Sequence, residues 1–160
     1  CLVGSEMCIR DRPNAVLHTN DSNRFEARHV NLKVNSSNKS FFLDKYETDQ
    51  VLAIPNAHAE GKLILDKDKL TEIESNNQIA FRYCNSEGSL EAGYPWNPNG
   101  APNDIAGITN SRGNVLGMMP HPERVFHGWQ HTDWTSTGKN PDGPGDGRAL
   151  FEGVVEFLCK

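Results

Sequence analysis

The stretch from Gly113 to Glu123 restricts the fold of this chain more than any other, because a short apolar run leads directly into two prolines. Residues 115–119 are too few for a helix and lie between turn-forming residues, so they predict a buried strand. Pro120 and Pro122 each fix their own φ, and Pro122 also favours extended geometry at His121. The sequence therefore predicts a strand that ends in a histidine with little backbone freedom.

His121 and Glu123 are two residues apart, and this spacing predicts that their side chains meet. In an extended segment, such residues project to the same side, so the carboxylate can hydrogen-bond to the imidazole. That bond fixes the tautomer and leaves the other ring nitrogen free to exchange a proton. We expect His121 to act as a general acid and base that Glu123 orients. An ordinary surface turn is the alternative that these residues alone leave open.

Length and charge set the class of protein. A chain of 160 residues with 36% hydrophobic and 23% charged residues is typical of one globular domain with a substantial core. The net charge of -5, without a Lys/Arg cluster longer than a pair, argues against nucleic acid or an anionic membrane as the main partner. No run approaches the roughly 18 apolar residues that indicate a membrane span.

The first twelve residues do not resemble a signal peptide, because four charged residues crowd a short apolar run. They resemble a translated sequencing-adapter read-through, so we expect residues 1–12 to be a non-native tail and residues 13–160 to be the C-terminal portion of a single domain. Apart from Cys1 and Cys8, the cysteines are Cys84 and Cys159, which lack metal-ligand spacing. Two lone thiols favour a reducing cytosol.

Hydrophobic periodicity predicts a mixed α/β chain. Val30, Leu32 and Val34 share one face of a half-buried strand, and a strand over residues 51–54 is expected to stop at Pro55. Asp146 is placed to cap a terminal helix. The other predicted elements are strands over residues 63–65 and 78–83, a short helix over residues 68–75, a hairpin of residues 104–109 with 114–119, and a terminal helix that carries Leu150, Phe151, Val154, Phe157 and Leu158 on one stripe.

Two further groups of polar residues could form sites. The loop over residues 56–61 offers His58 and Glu60, either as a second site or as a solvated strand exit. A metal site is the other alternative, and its ligands would be His121, His127, His131 and Asp133. His127 and His131 have helical spacing, but the Gly/Pro content around them argues against a helix, so we expect no metal here.

Five motifs in order connect these features. They are Asn-x-Ser-x-Arg-Phe-x-x-Arg at residues 20–28, Pro-Asn-Ala-His-Ala-Glu-Gly at 55–61, Asn-Pro-Asn-Gly at 97–100, Ile-Ala-Gly-Ile at 105–108 and Gly-Met-Met-Pro-His-Pro-Glu-Arg at 117–124. In this order the chain resembles the class I, triad-type glutamine amidotransferases, and among them the glutaminase subunit of phosphoribosylformylglycinamidine synthase. The resemblance runs from about Asn14 to the end of the chain.

The resemblance implies a flavodoxin-like α/β domain with a mixed, mostly parallel sheet and a C-terminal helix. It implies that a cysteine thiolate attacks the glutamine amide, that His121 is the acid/base and that Glu123 holds it. It also places residues at a rim that meets substrate or partner: His58, Glu60, Asn99, Arg24 and Arg28.

The nucleophile of this family sits in Gly-x-Cys-x-Gly at a strand-to-helix turn, and none of the four cysteines has that context. The matching segment of the family lies upstream of the resemblance. We therefore expect a chain that lacks its nucleophile and oxyanion hole, is inactive alone and dissolves poorly because sheet edges are exposed.

For the complete protein, the resemblance implies a cytoplasmic enzyme that takes glutamine and delivers ammonia to a synthetase subunit, with a small accessory subunit as a further candidate partner. No cofactor is expected in this subunit, whereas ATP and magnesium are expected on the synthetase. A non-catalytic, amidotransferase-like interaction module is the alternative.

Overall fold

A computed structural model describes residues 15–91, 93–138 and 140–159. The proposed tail over residues 1–12, with Cys1 and Cys8, lies outside the described residues. The strands are β1 Ala15–His18, β2 Glu26–Val34, β3 Val51–His58, β4 Lys62–Leu65, β5 Ile79–Cys84, β6 Ile105–Thr109 and β7 Leu116–Met118. The helices are α1 Lys67–Ser75, α2 Trp134–Thr137 and α3 Arg148–Leu158, with 3₁₀ turns at Phe41–Leu43, Pro102–Asp104, Pro122–Val125 and Gly128–Gln130.

The larger sheet has five strands in the order β3-β2-β5-β6-β7, and β1 and β4 form a separate pair. All ladders between the described strands are antiparallel, so the mostly parallel pairing that we expected is wrong for this part of the chain. Parallel neighbours need a long, usually helical, crossover. Here α1 connects β4 to β5, which belong to different sheets.

The core lies on one face of the larger sheet, as the period-two pattern of β2 predicts. Val30, Leu32 and Val34 are buried, whereas their neighbours in sequence are half-buried. Leu52 and Ile54 of β3 and Phe81 and Tyr83 of β5 complete the same core. The strands predicted at residues 63–65 and 78–83 and the helix at 68–75 are also confirmed, to within one residue at each end.

Pro55 does not stop β3, contrary to our prediction. The strand continues to His58, and Pro55 is paired in register with His29 of β2. A proline cannot donate to a ladder, but β3 is an edge strand of the sheet, where one side of the backbone needs no donor. Residues 56–58 therefore belong to a strand and not to a loop, which fixes the side-chain direction of His58.

The sheet curls until its two edges meet at one end. His58 at the end of β3 hydrogen-bonds through Nε2 to the carbonyl of Met119, which follows β7, at 2.6 Å. His121 N donates to the carbonyl of Pro55 in β3 at 2.7 Å. We call this junction of residues 55–58 with residues 119–121 the seam, and both histidines lie in it.

The β6–β7 hairpin is confirmed, but its second strand is shorter and more exposed than predicted. β7 covers Leu116–Met118, and Val115 is 60% exposed. β7 is the other edge strand of the sheet, so one side of it lacks a neighbouring strand. The apolar run is therefore a half-buried edge and not a buried strand.

The terminal helix is confirmed as α3, whereas its predicted cap is wrong. Gly147 occupies the N-cap position without a side-chain hydrogen bond. Asp146 instead accepts a hydrogen bond from Ala53 N at 2.8 Å, and its carboxylate lies 3.3 Å from His131 Nε2. Only part of the apolar stripe is covered, since Leu150 is buried and Leu158 is 74% exposed. No helix in the described ranges is long and apolar enough to cross a membrane.

Candidate active site

The side chains of His121 and Glu123 meet as the spacing predicts, with 2.8 Å between His121 Nδ1 and Glu123 Oε1. The backbone reason is different from the one we gave. Pro122–Val125 is a 3₁₀ turn for which His121 is the N-cap, so the segment is not extended beyond His121. Proline at the first helical position starts the turn, and the Glu123 side chain then reaches back over it. Because a carboxylate only accepts, Nδ1 of His121 carries the donated proton.

The second ring nitrogen of His121 is available for chemistry. Its Nε2 is buried and has no hydrogen-bond partner among the residues that the structure describes. An unpartnered buried nitrogen costs free energy, and such atoms in native proteins usually face a ligand, a water or a reacting group. With Nδ1 engaged by Glu123, Nε2 can accept a proton from a nucleophile and return it to a leaving group.

His58 lies in the seam, with its ring against that of His121. Its ring is stacked on that of His121, with centroids 4.8 Å apart and planes inclined by 12°. Burial lowers the pKa of His58 below its usual value, and the nearby charges of His121 and Arg124 act in the same direction. The hydrogen bond to Met119 opposes this shift, and the burial outweighs it. His58 is therefore a neutral ring beside His121 near pH 7.

The other proposed rim residues are scattered. Glu60 is exposed and makes no hydrogen bond or ion pair with the described part of the chain, so it does not pair with His58. Arg24 is exposed. Arg28 donates to the buried carboxylate of Glu26 at 2.7 Å and to the Tyr94 hydroxyl at 2.9 Å, so its guanidinium is engaged within the chain.

Asn99 is not a rim residue, because it is 0% exposed and both polar atoms of its amide are used internally. Its Oδ1 accepts from the Tyr83 hydroxyl at 2.9 Å, and its Nδ2 donates to Asn20 Oδ1 at 2.7 Å. Asn20 in turn donates to the carbonyl of His58 at 2.6 Å and accepts from Gly61 N at 3.0 Å. We call Asn20, Tyr83 and Asn99 the amide network.

Sequence reasoning missed the amide network as a feature of the site. Asn20 and Asn99 stand in two of the five motifs, but they are 79 residues apart, and spacing does not indicate that they touch. The available signal was the presence of these two asparagines in the motifs at residues 20–28 and 97–100. Their role is to hold the end of β3, and with it His58, in place.

A further polar residue of β3 was also missed. Asn56 is buried, and neither its Nδ2 nor its Oδ1 has a hydrogen-bond partner within the described ranges. It lies on the same face of the strand as His58, two residues further on. Buried amides without partners are uncommon. We therefore expect a polar group to bind next to Asn56, at the seam.

Neither described cysteine has the properties of a nucleophile. Cys84 is fully buried in β5, and burial raises the pKa of its thiol to about 11. Cys159 is exposed and directly follows α3. A catalytic thiol needs access to substrate and a place beside the base, so buried Cys84 does not fit, and Cys159 at the C-terminal end of α3 is not part of the seam. The residues of the proposed metal alternative are also not gathered, since no group of three or more His, Cys, Asp or Glu in residues 15–91, 93–138 and 140–159 could hold an ion.

A comparison with protein families matches residues 2–158 to the CobB/CobQ-like glutamine amidotransferase domain. The chain belongs to this family. Because the match extends over almost the whole chain, the amidotransferase resemblance read from the five motifs is confirmed.

Two curated proteins are similar to this chain in sequence. Phosphoribosylformylglycinamidine synthase subunit PurQ of Archaeoglobus fulgidus is 44% identical over 156 residues, which cover 95% of this chain and 54% of that protein. The subunit of the same name from Picrophilus torridus is 45% identical over 114 residues, which cover 71% of this chain and 44% of that protein. The chain thus spans about half the length of the curated relatives it matches.

A solved structure supports the fold of this family member. A chain in the structure of PurLQS from Thermotoga maritima is 27% identical and superposes with a TM-score of 0.63, covering 90% of this chain and 53% of that one. The expected fold class, an amidotransferase-like α/β domain with a C-terminal helix, is confirmed by this similarity.

Proposed function

We propose that the complete protein is the glutaminase subunit of phosphoribosylformylglycinamidine synthase, and that it releases ammonia from glutamine for the formation of formylglycinamidine ribonucleotide. The observation that carries the proposal is the His121–Glu123 pair, with Nδ1 held by the carboxylate and Nε2 buried and unpartnered. The identity to two PurQ subunits supports glutamine as the substrate on which this pair acts.

In the proposed reaction, His121 Nε2 takes the proton of a cysteine thiol, and the thiolate attacks the amide carbon of glutamine. The protonated imidazole then gives its proton to the leaving nitrogen, so ammonia departs and a glutamyl thioester remains. Water, activated by the same Nε2, hydrolyses the thioester and returns the thiol. Glu123 stabilises the imidazolium through the 2.8 Å contact with Nδ1.

The cysteine of this scheme has to come from outside the residues that the structure describes, because Cys84 is buried with a raised pKa and Cys159 lies at the end of α3. The expected nucleophile elbow upstream of the resemblance would supply it. We also propose a synthetase subunit and a small accessory subunit as partners, which the PurLQS structure of the relative supports. ATP and magnesium would act on the synthetase, and no cofactor is proposed here.

The proposed location is the cytoplasm, where the free thiols of Cys84 and Cys159 would persist in the reduced state.

The test is glutamine hydrolysis by the full-length protein together with its synthetase. His121→Ala should lower kcat by about 10²-fold to 10⁴-fold, which is the usual contribution of a general acid/base. Added ammonium salt should restore product formation in the same sample, because the synthetase is untouched. The matched control is His18→Ala, which removes an exposed histidine of β1, in the other sheet.

A His121→Ala variant as active as the wild type would overturn the assignment of the acid/base. A wild-type protein that binds the synthetase but never hydrolyses glutamine would instead indicate the non-catalytic interaction module. The two results are separable because binding and hydrolysis are measured on the same complex.

A further inference from the structure

The imidazole of His121 is held by one hydrogen bond, at Nδ1, and needs a second restraint to keep the ring plane in a fixed orientation. The contact from Nδ1 to Glu123 fixes the edge, but 55% of the Glu123 side chain is exposed, so few protein atoms pack around that carboxylate. A ring held by one hydrogen bond can still rotate around it. The reacting Nε2 would then sweep an arc and lose its alignment with the nucleophile.

The ring of His58 supplies a flat surface next to His121. The centroids are 4.8 Å apart with planes 12° from parallel, which is an offset stack. In such a stack, rotation of the His121 ring out of its plane brings it into van der Waals contact with His58. The plane of the acid/base is thereby restricted from one side.

His58 itself is fixed at both its ring and its backbone. Its Nε2 lies 2.6 Å from the carbonyl of Met119, so Nε2 carries the proton and donates it. Its own carbonyl accepts from Asn20 Nδ2 at 2.6 Å, and Asn20 is held by Asn99. A ring tied to both edges of the curled sheet is a rigid surface, unlike the exposed Glu123.

The charge state of His58 suits this role. Burial lowers the pKa of His58, so the ring stays neutral near neutral pH. A second imidazolium at this distance would repel His121 each time it takes a proton. A neutral ring stacks on both charge states of His121, which a proton-exchange cycle requires.

We propose that His58 is a positioning residue that holds the imidazole plane of His121, so that Glu123 fixes the edge of the ring and His58 fixes its face. The inference deepens the proposed function and rests on it. It also replaces the assignment of His58 to a rim that meets substrate or partner, because a rim residue would act on substrate binding and not on the acid/base.

Steady-state glutaminase kinetics of the full-length protein with its synthetase separate these roles. His58→Ala should lower kcat roughly 10-fold to 100-fold, as expected when a reacting group is misplaced, while KM for glutamine changes by less than about threefold. His58→Phe keeps a flat ring and should retain more kcat than His58→Ala. His58→Gln keeps a donor for Met119 without a ring and should be no better than His58→Ala. The matched control is again His18→Ala.

A rise of KM with unchanged kcat in His58→Ala would return His58 to substrate binding and overturn the proposal. Recovery of kcat in His58→Gln but not in His58→Phe would show that the hydrogen bond matters and the ring does not. The kcat of His121→Ala, measured in parallel, distinguishes the proposed glutaminase function from the positioning role of His58. If His121→Ala retains activity, the proposed function fails, whereas activity lost in His121→Ala but intact in His58→Ala refutes the positioning role alone.

A spectroscopic measurement decides the matter if a His58 variant fails to fold. In histidine-selective ¹⁵N NMR of the wild-type full-length protein, neutral His121 should show one tautomer with its proton on Nδ1, and neutral His58 one with its proton on Nε2. A wild-type His58 protonated on Nδ1 would contradict the bond to Met119 and refute the proposal.

Discussion

Removal of the Asn20 side chain should lower the free energy of unfolding of this protein strongly. Asn20 is 3% exposed, and its side chain makes hydrogen bonds to four groups. It donates to the carbonyls of Arg24 and His58 and accepts from Gly61 N and Asn99 Nδ2, at distances between 2.6 and 3.0 Å. Asn20→Ala removes all four bonds, of which those from Gly61 N and Asn99 Nδ2 are buried and those to the two carbonyls are partly buried.

The magnitude follows from the number of bonds. Each hydrogen bond contributes about 0.5–1.5 kcal/mol net, so four give a loss of about 4 kcal/mol in the free energy of unfolding. That is a large fraction of the 5–15 kcal/mol typical of a whole domain. The isosteric Asn20→Asp should be at least as damaging near pH 7, because it replaces the donor to two carbonyls with a carboxylate oxygen that repels them.

The assay is urea denaturation of the full-length protein, with the midpoint and slope followed by two probes. The matched control is Asn114→Ala, which removes an exposed amide bonded to Asn110 and should change the stability by less than about 0.5 kcal/mol. Asn99→Ala should be non-additive with Asn20→Ala, with a coupling of about 1 kcal/mol, since each substitution removes their shared bond. An Asn20→Ala loss below about 1 kcal/mol, or strict additivity, would refute the amide network as a structural unit.

Two other substitutions or conditions probe the same packing. An ideal Cβ at Gly61 would lie 2.7 Å from Asn99 Cγ, so Gly61→Ala should cost about 1–3 kcal/mol by overpacking, and a thermal melt unchanged from wild type would contradict this. Burial raises the pKa of Cys84 to about 11, so its neutral thiol favours the folded state, and its contribution should be lost between about pH 9 and pH 11. At pH 8 a disulfide reagent should label Cys159 at once and Cys84 only after denaturation, and equal rates for both would refute the burial of Cys84.

Local sequence patterns predicted the features that depend on residues close together in the sequence. The alternation at Val30, Leu32 and Val34 specified a strand with one buried face, and helical spacing specified α3. The contact of Glu123 with His121 was also predicted, although through extended geometry that the 3₁₀ turn replaces. Side chains two residues apart can meet both in an extended segment and in a 3₁₀ turn. The predicted contact therefore did not depend on the backbone conformation, which was predicted wrongly.

The predictions that failed depend on where elements lie in the sheet. Pro55 is compatible with a strand only because β3 is at an edge, and Val115 is exposed because β7 is at the other edge. Strand order is a property of long-range pairing, which no local window contains. The prediction that Asp146 caps the terminal helix failed for the same reason. Its carboxylate accepts a hydrogen bond from Ala53 N, which is 93 residues away in sequence, and no local window contains that contact.

The curl of the sheet explains why the site residues come from distant motifs. The strands that the two histidines adjoin are the outermost of a five-stranded sheet, and a flat sheet would hold them four strand spacings apart. The bonds from His58 to Met119 and from His121 N to Pro55 exist only because the edges meet. A stack of two imidazoles at this seam is therefore sensitive to any change in sheet curvature. Substitutions that alter the seam should act on kcat before they act on global stability, because the core on the inner face does not depend on these two bonds.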